Sequence, residues 1–293
     1  MKKIIGGFLL LYLIYLFIFN KEVTFYLSNV SNIFFIKYIA SLFPFILITN
    51  LFLNSNVLID IHKFLISKRL HFIFDIFTIV LIILIGVPGN INLLNYLNKT
   101  NIINKKKYNN LLSSFGGISF PFIYLVILIN HQIKYLFIII LIIIQSTVYL
   151  LSQSEDKNQP INYYPYKIDI IKHSLFSLGV ILFYLLTLSS LYLMFNYLPT
   201  PYNYFFNGLI EFSINSINLS NINSLTSTIL LCFLLSFTSI SLILQIKSLS
   251  IDFNITNYIK KRAVIALLVT FIIFLLIWKY QLQYLELMKK YQH

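Results

Sequence analysis

Residues 114 to 119 read SFGGIS, inside an uncharged stretch from Asn109 to Asn130 that is otherwise suited to lipid. Two glycines flanked by serines weaken a membrane helix, because glycine gains nothing from helical geometry and is permissive at any φ. A near copy, SFTSIS, stands at residues 236 to 241, an offset of 122. The same offset carries Gly86 onto Gly208, so two separate features share one register. Each half therefore reads as a spanning helix, a hairpin, a helix interrupted at SFxxIS, and a further helix.

Composition fixes the class within which this register has meaning. Of the 293 residues, 58% are hydrophobic and 11% charged, and the mean hydropathy is +0.82. Uncharged runs recur at 4–20, 38–59, 76–98, 109–130, 135–151, 174–199, 225–246 and 263–278, against the roughly 20 residues a spanning helix needs. The chain is thus expected to be a polytopic all-α membrane protein with the lipid bilayer as its first partner. Expected segments are an N-terminal anchor helix at 1–32, a first repeat at 33–151, a linker at 152–169, a second repeat at 170–280 and a polar tail at 281–293. MKK followed by an apolar core has the look of a secretory signal, but NKEVTFY supplies no small-residue cleavage site, which favours an uncleaved span.

The net charge of +13 does not indicate nucleic acid, since the basic residues are spread through the loops. They act as orientation signals instead. GVPGN at residues 86 to 90 breaks its run, because proline lacks an amide donor. With the N-terminus cytoplasmic, and with the chain turning back here and again around Gly208, 16 basic residues fall inside and five outside. Lys37 falls within a span. The expected architecture has seven spans and two re-entrant hairpins. Its halves start on opposite sides, which is the inverted-repeat plan of secondary transporters.

The run GVPGNINLLNYLNKTNIINKKKYNNLLSSFGGISFPFIYLVI, residues 86 to 128, resembles the first signature of YlbJ-type sporulation integral membrane proteins. GLIEFSINSINLSN at 208 to 221 and FLLSFTSISLILQIKSLSI at 233 to 251 resemble the second. That group belongs with the nucleoside-recognition or Gate-domain proteins. It is similar to concentrative nucleoside transporters and to the membrane part of ferrous-iron transporters. The resemblance covers about residues 33 to 280 and rests on order and spacing. It implies passage of a small polar solute across a bacterial cell or forespore membrane, with anionic dipicolinate as the solute of interest and nucleosides or nucleobases as alternatives. The chain departs from the pattern where Thr238 and Ser239 stand in place of a glycine pair, and where Pro121 is shifted along from the first break.

Half-helix N-termini present unpaired N–H groups that hold a carboxylate without a buried cation. Candidate solute-binding residues are accordingly Asn90, Ser113, Ser114, Ser119, Asn207, Ser236, Thr238, Ser239 and Ser241. Gly86, Pro88, Gly89, Gly116, Gly117, Pro121 and Gly208 are expected to shape the hairpins and breaks. The competing role for the small polar residues is helix packing, at roughly 0.6 kcal/mol per interhelical hydrogen bond. Glu211 has few basic neighbours. It is either an ion or proton carrier at membrane depth or the interfacial tip of a hairpin. Asp75, near the start of its helix, is expected either to form a surface pair with Arg69 or His71 or to sit favourably in the helix dipole. Gln245 matches the resembled family but sits near a helix end, where interfacial bonding competes with solute contact.

Other chemistries lack their signatures. There is no GxxxxGK[ST] loop, no GxSxG and no HExxH, and Cys232 stands alone. Neither a cofactor, a metal nor an enzymatic activity is expected. A homo-oligomer is left open, and the competing function is a non-transporting structural component of sporulation or envelope assembly.

Overall fold

The structure, a computed structural model, describes residues 2–128, 131, 133–152, 169–222 and 224–290. Most of the expected linker at 152–169 lies outside the described residues. Every regular element among those described is helical. The first half comprises α1 (Lys2–Ile18), α2 (Asn20–Ile33), α3 (Ile39–Asn54), α4 (Val57–Ser67), α5 (His71–Ile85), α6 (Gly89–Lys99), α7 (Lys105–Phe115), the short α8 (Phe120–Phe122) with a following π turn to Ile127, and α9 (Lys134–Leu151). The second comprises α10 (Ile170–Ser189), α11 (Tyr202–Ile210), α12 (Phe212–Ser220), α13 (Leu225–Phe237), α14 (Ile240–Leu249) and α15 (Ile255–Lys290). The last helix extends through most of the segment expected as a polar tail.

Six helical stretches are long and apolar enough to cross a membrane: Asn20–Asn54, Lys105–Ile127, Lys134–Leu151, Ile170–Ser189, Leu225–Leu249 and Ile255–Lys279. The first uncharged run forms a 17-residue helix, α1. Two of the six stretches differ from the rest. In Lys105–Ile127 and Leu225–Leu249 the apolar window is 72% and 67% buried, against 28–33% in the other four. These two contain the interrupted helices α7/α8 and α13/α14, so the broken segments form the centre and the continuous ones surround them. Non-helical backbone in a bilayer is tolerated only where protein or a wet cavity satisfies it, and the burial pattern meets that condition.

Local chemistry sets the helix ends. Asn104 caps α7 by accepting from Lys107 N at 2.7 Å, and Ser224 and Ser227 form a reciprocal capping box on α13. The interruptions recur with the sequence register. Adding 122 to α6 gives 211–221, and α12 occupies Phe212–Ser220; adding it to α7 gives 227–237, and α13 occupies Leu225–Phe237.

The residues expected on one side of the membrane meet at one end of the bundle. Lys105 pairs with Asp252 at 2.6 Å, and Lys261 bonds both Asn110 and the Ser152 hydroxyl. Asp75 does not pair locally. Its carboxylate binds Lys107 at 2.9 Å, across the α5/α7 contact.

Candidate functional site

Three chain interruptions and the helix that follows a fourth meet around one small cavity. It is lined by Val87 from the turn between α5 and α6, Ile118 and Ser119 from the break after α7, Glu211 and Phe212 from the turn between α11 and α12, and Leu242 and Gln245 from α14. Tyr38, Leu42, Phe122, Ile181 and Leu185 complete the wall. Its volume is about 20 Å³, room for about one water.

The first turn and the first break are interlocked by backbone. Val87 N donates to Gly117 O at 3.2 Å. Gly86 has φ +65°, and a Cβ there would stand 2.6 Å from Ser119 Cα. Only glycine fits both the conformation and the approach. Pro88 precedes α6 as its N-cap, and Gly89 opens that helix. Gly116 and Gly117 form the gap in α7/α8, after which Ser119 restarts the helix by accepting from Phe122 N at 3.3 Å. Pro121 lies in the first turn of α8, where a missing amide proton costs nothing.

The second half reaches the cavity by different means. The reversal there is at Glu211, whereas Gly208 lies inside α11 and packs against Leu234. The alignment of Gly86 with Gly208 as paired hairpin turns is therefore off by three residues. The second gap is also shorter, since only Thr238 and Ser239 separate α13 from α14. Ser239 restarts the helix by accepting from Leu242 N at 3.3 Å, so its counterpart is Ser119, 120 residues earlier. Ser241 falls within α14 and accepts from Gln245 Nε2 at 3.1 Å.

Glu211 is 2% exposed. It caps α12, accepting from Ser213 N at 3.1 Å and from the Ser213 hydroxyl. Glu211 also lies outside the six apolar spans. Burial pushes its carboxyl above the ordinary range, while the Ser213 and Ile214 hydrogen bonds pull it partly back. Among the described residues no Lys or Arg lines the cavity, so no counter-charge there adds to those hydrogen bonds against the desolvation.

Around the turns and breaks stand four fully or nearly fully buried polar groups without a protein hydrogen-bond partner. Both amide atoms of Asn90, Asn207 Oδ1, Ser114 Oγ and Ser236 Oγ are in this state. Ser114 and Ser236 lie 122 residues apart, each the penultimate residue of the helix before its break. Leaving such a group unsatisfied costs about 1–3 kcal/mol. Ser113 is occupied differently, donating to Asn109 O at 2.6 Å within its own helix. Thr238 Oγ1 lies 3.4 Å from the Tyr258 hydroxyl.

Of the nine residues expected to bind solute, Ser119 lines the cavity, joined there by Glu211. Sequence reasoning missed Tyr38, whose buried hydroxyl has no partner, and left Gln245 between interfacial bonding and solute contact; it is 3% exposed and lines the cavity. The same reasoning counted Arg262 only among the basic residues expected on the cytoplasmic side and did not single out Tyr258. Both are buried at 1% exposure and reach the first break. The available signal was an arginine at the start of an apolar run, one turn after a tyrosine. No protein-family model, curated protein or solved structure matches this chain.

Proposed function

We propose that the protein is a proton-linked membrane carrier for a small polar solute, built as two inverted repeats with re-entrant hairpins α5/α6 and α11/α12. The observation that carries this proposal is the convergence of both turns, the first helix break and the helix that follows the second on one cavity containing a buried carboxyl with no counter-charge in its lining. Helix lengths support the hairpins: α5 rises about 22 Å and α11 and α12 about 13 Å each, short of the ~30 Å hydrocarbon core. The four unsatisfied polar groups around them are suited to a transient polar guest. The distribution of basic residues supports a cytoplasmic N-terminus, and the motif resemblance supports membership of the YlbJ-type group.

Electrostatics then specify the coupling. Among the described residues, Glu211 is the only carboxyl in the cavity lining. Ionised, it repels an anion; protonated, it admits one and loses its own charge. An anionic solute such as dipicolinate would therefore cross with a proton. A cavity that holds about one water is too small for such a solute, so passage requires the hairpin turns to part, as in alternating access by rocking of one repeat against the other.

Uptake of labelled dipicolinate into proteoliposomes, with nucleosides and uracil as competitors, tests this. The expected result is saturable uptake driven by an acidic exterior, with Glu211→Gln losing gradient-driven accumulation yet retaining solute exchange. Absence of flux for every solute would overturn the carrier and favour the structural component. The same variant carries a stability signature. A carboxyl whose folded value is raised destabilises the fold as pH rises past its unfolded value of about 4.3. Glu211→Gln should therefore raise the melting temperature at pH 8 more than at pH 5.

A further inference from the structure

The interruption after α7 exposes carbonyls at a helix C-terminus, where the backbone carries partial negative charge. In secondary transporters, unwound carbonyls and half-helix C-terminal ends are where coupling cations bind. Here the chain's own side chains occupy them. Arg262 Nη1 donates to Ser114 O at 3.2 Å, and the Tyr258 hydroxyl donates to Gly116 O at 2.8 Å. Gly117 O is taken by Val87 N. The guanidinium packs flat space left by Gly117, where an added Cβ would stand 3.1 Å from Arg262 Cζ, and it lies 6.0 Å from the Tyr258 ring centre.

Arg262 is fully buried and, among the described residues, pairs with no carboxylate. It does not line the cavity that holds Glu211, so the solute site does not neutralise it. A buried arginine that makes no ion pair is costly unless dipoles replace the counter-charge. The carbonyl end of α7 does so.

We propose that Arg262 is a tethered cation that permanently fills the cation position of the first helix break, held there with Tyr258, so that the protein uses no dissociable sodium or potassium ion at this site. The inference rests on the carrier proposal for its meaning, but its test needs no transport. Full-length protein in detergent would be melted in sodium, potassium or choline chloride at equal ionic strength. Wild type should melt at one temperature in all three. Arg262→Ala should melt lower and recover by about 2–4 °C with millimolar guanidinium, which leaves wild type unchanged. Arg262→Lys, which keeps a cation, should lose less than Arg262→Met, which has a side chain of similar length to lysine and no charge. A wild-type melting temperature higher in sodium or potassium than in choline overturns the proposal even if Arg262→Ala fails to fold, as does equal melting of the Lys and Met variants. Failure of every solute in flux assays would overturn the carrier and leave these ion effects as they stand.

Discussion

Gly86 and Thr238 end their helices in the same backbone conformation, with φ, ψ of 65°, 178° and 79°, 174°. That region is open to glycine and costs other residues about 1–3 kcal/mol. The first half meets the requirement with the residue that fits. The second places a β-branched side chain there. The contrast extends through the site. The first half contributes backbone, through Gly86, Val87, Gly116 and Gly117, while the second contributes functional side chains, through Glu211, Gln245, Tyr258 and Arg262. At the first break the two sets meet, with the Tyr258 hydroxyl and the Arg262 guanidinium donating to the carbonyls of Gly116 and Ser114.

The largest effect should come from filling the first turn. Gly86→Ala combines backbone strain with overlap against Ser119, whose backbone cannot rotate away. A loss of about 2–5 kcal/mol is expected, read as a collapse of the monodisperse peak and of the melting transition in detergent. Gly208→Ala meets the Leu234 side chain at 2.6 Å, and leucine can move, so its loss should be smaller. Equal losses at 86 and 208 would break the distinction between the halves.

The opposite sign is expected at the second break. Thr238→Gly relieves the strained conformation, at the cost of glycine's added unfolded-state entropy and of the 3.4 Å contact to Tyr258. The balance is a gain of about 1 kcal/mol, seen as a higher melting temperature. A lower one would show that the Tyr258 contact outweighs the strain and that Thr238 is held as part of the Arg262 assembly.

How much of this was legible depends on the kind of signal. The breaks at Gly116–Gly117 and at GVPG could be read because glycine and proline act locally on the backbone that carries them. The 122-residue register survives in α6/α12 and α7/α13 because helix lengths repeat. It slips at the breaks, where Ser119 corresponds to Ser239 and not to Ser241, since the hexapeptide likeness ignores that one gap is two residues shorter. Glu211 could be singled out from its lack of basic neighbours. Its burial could not, because it depends on α11 and α12 folding back against α13 and the turn after Phe122. Arg262 was hidden for the same reason. A cation beside Lys260 and Lys261 looks like a loop charge until the packing of α15 against α7 and α13 turns it inward.

The smallest effect should come from a contact between the halves that involves neither strain nor depth. The loop after α14 is fastened to the first half by Asn95 Nδ2 to Leu249 O at 2.9 Å, Asn109 Nδ2 to Asp252 O at 2.8 Å and the Lys105–Asp252 pair. Lys105 beside it lowers the Asp252 carboxyl, assisted by Asn98. A lowered folded value means that the carboxylate's stabilisation is present above the ordinary carboxylate range and fades as pH falls through the folded value. Wild type and Asp252→Asn should therefore differ by a constant small amount from pH 8 to about 5 and converge only below about pH 4. The pair is solvent-exposed, so the difference should be within about 1 kcal/mol and shrink in high salt. A large, salt-insensitive loss would mean that this latch, and not the Arg262 contact with the first break, holds the two halves together.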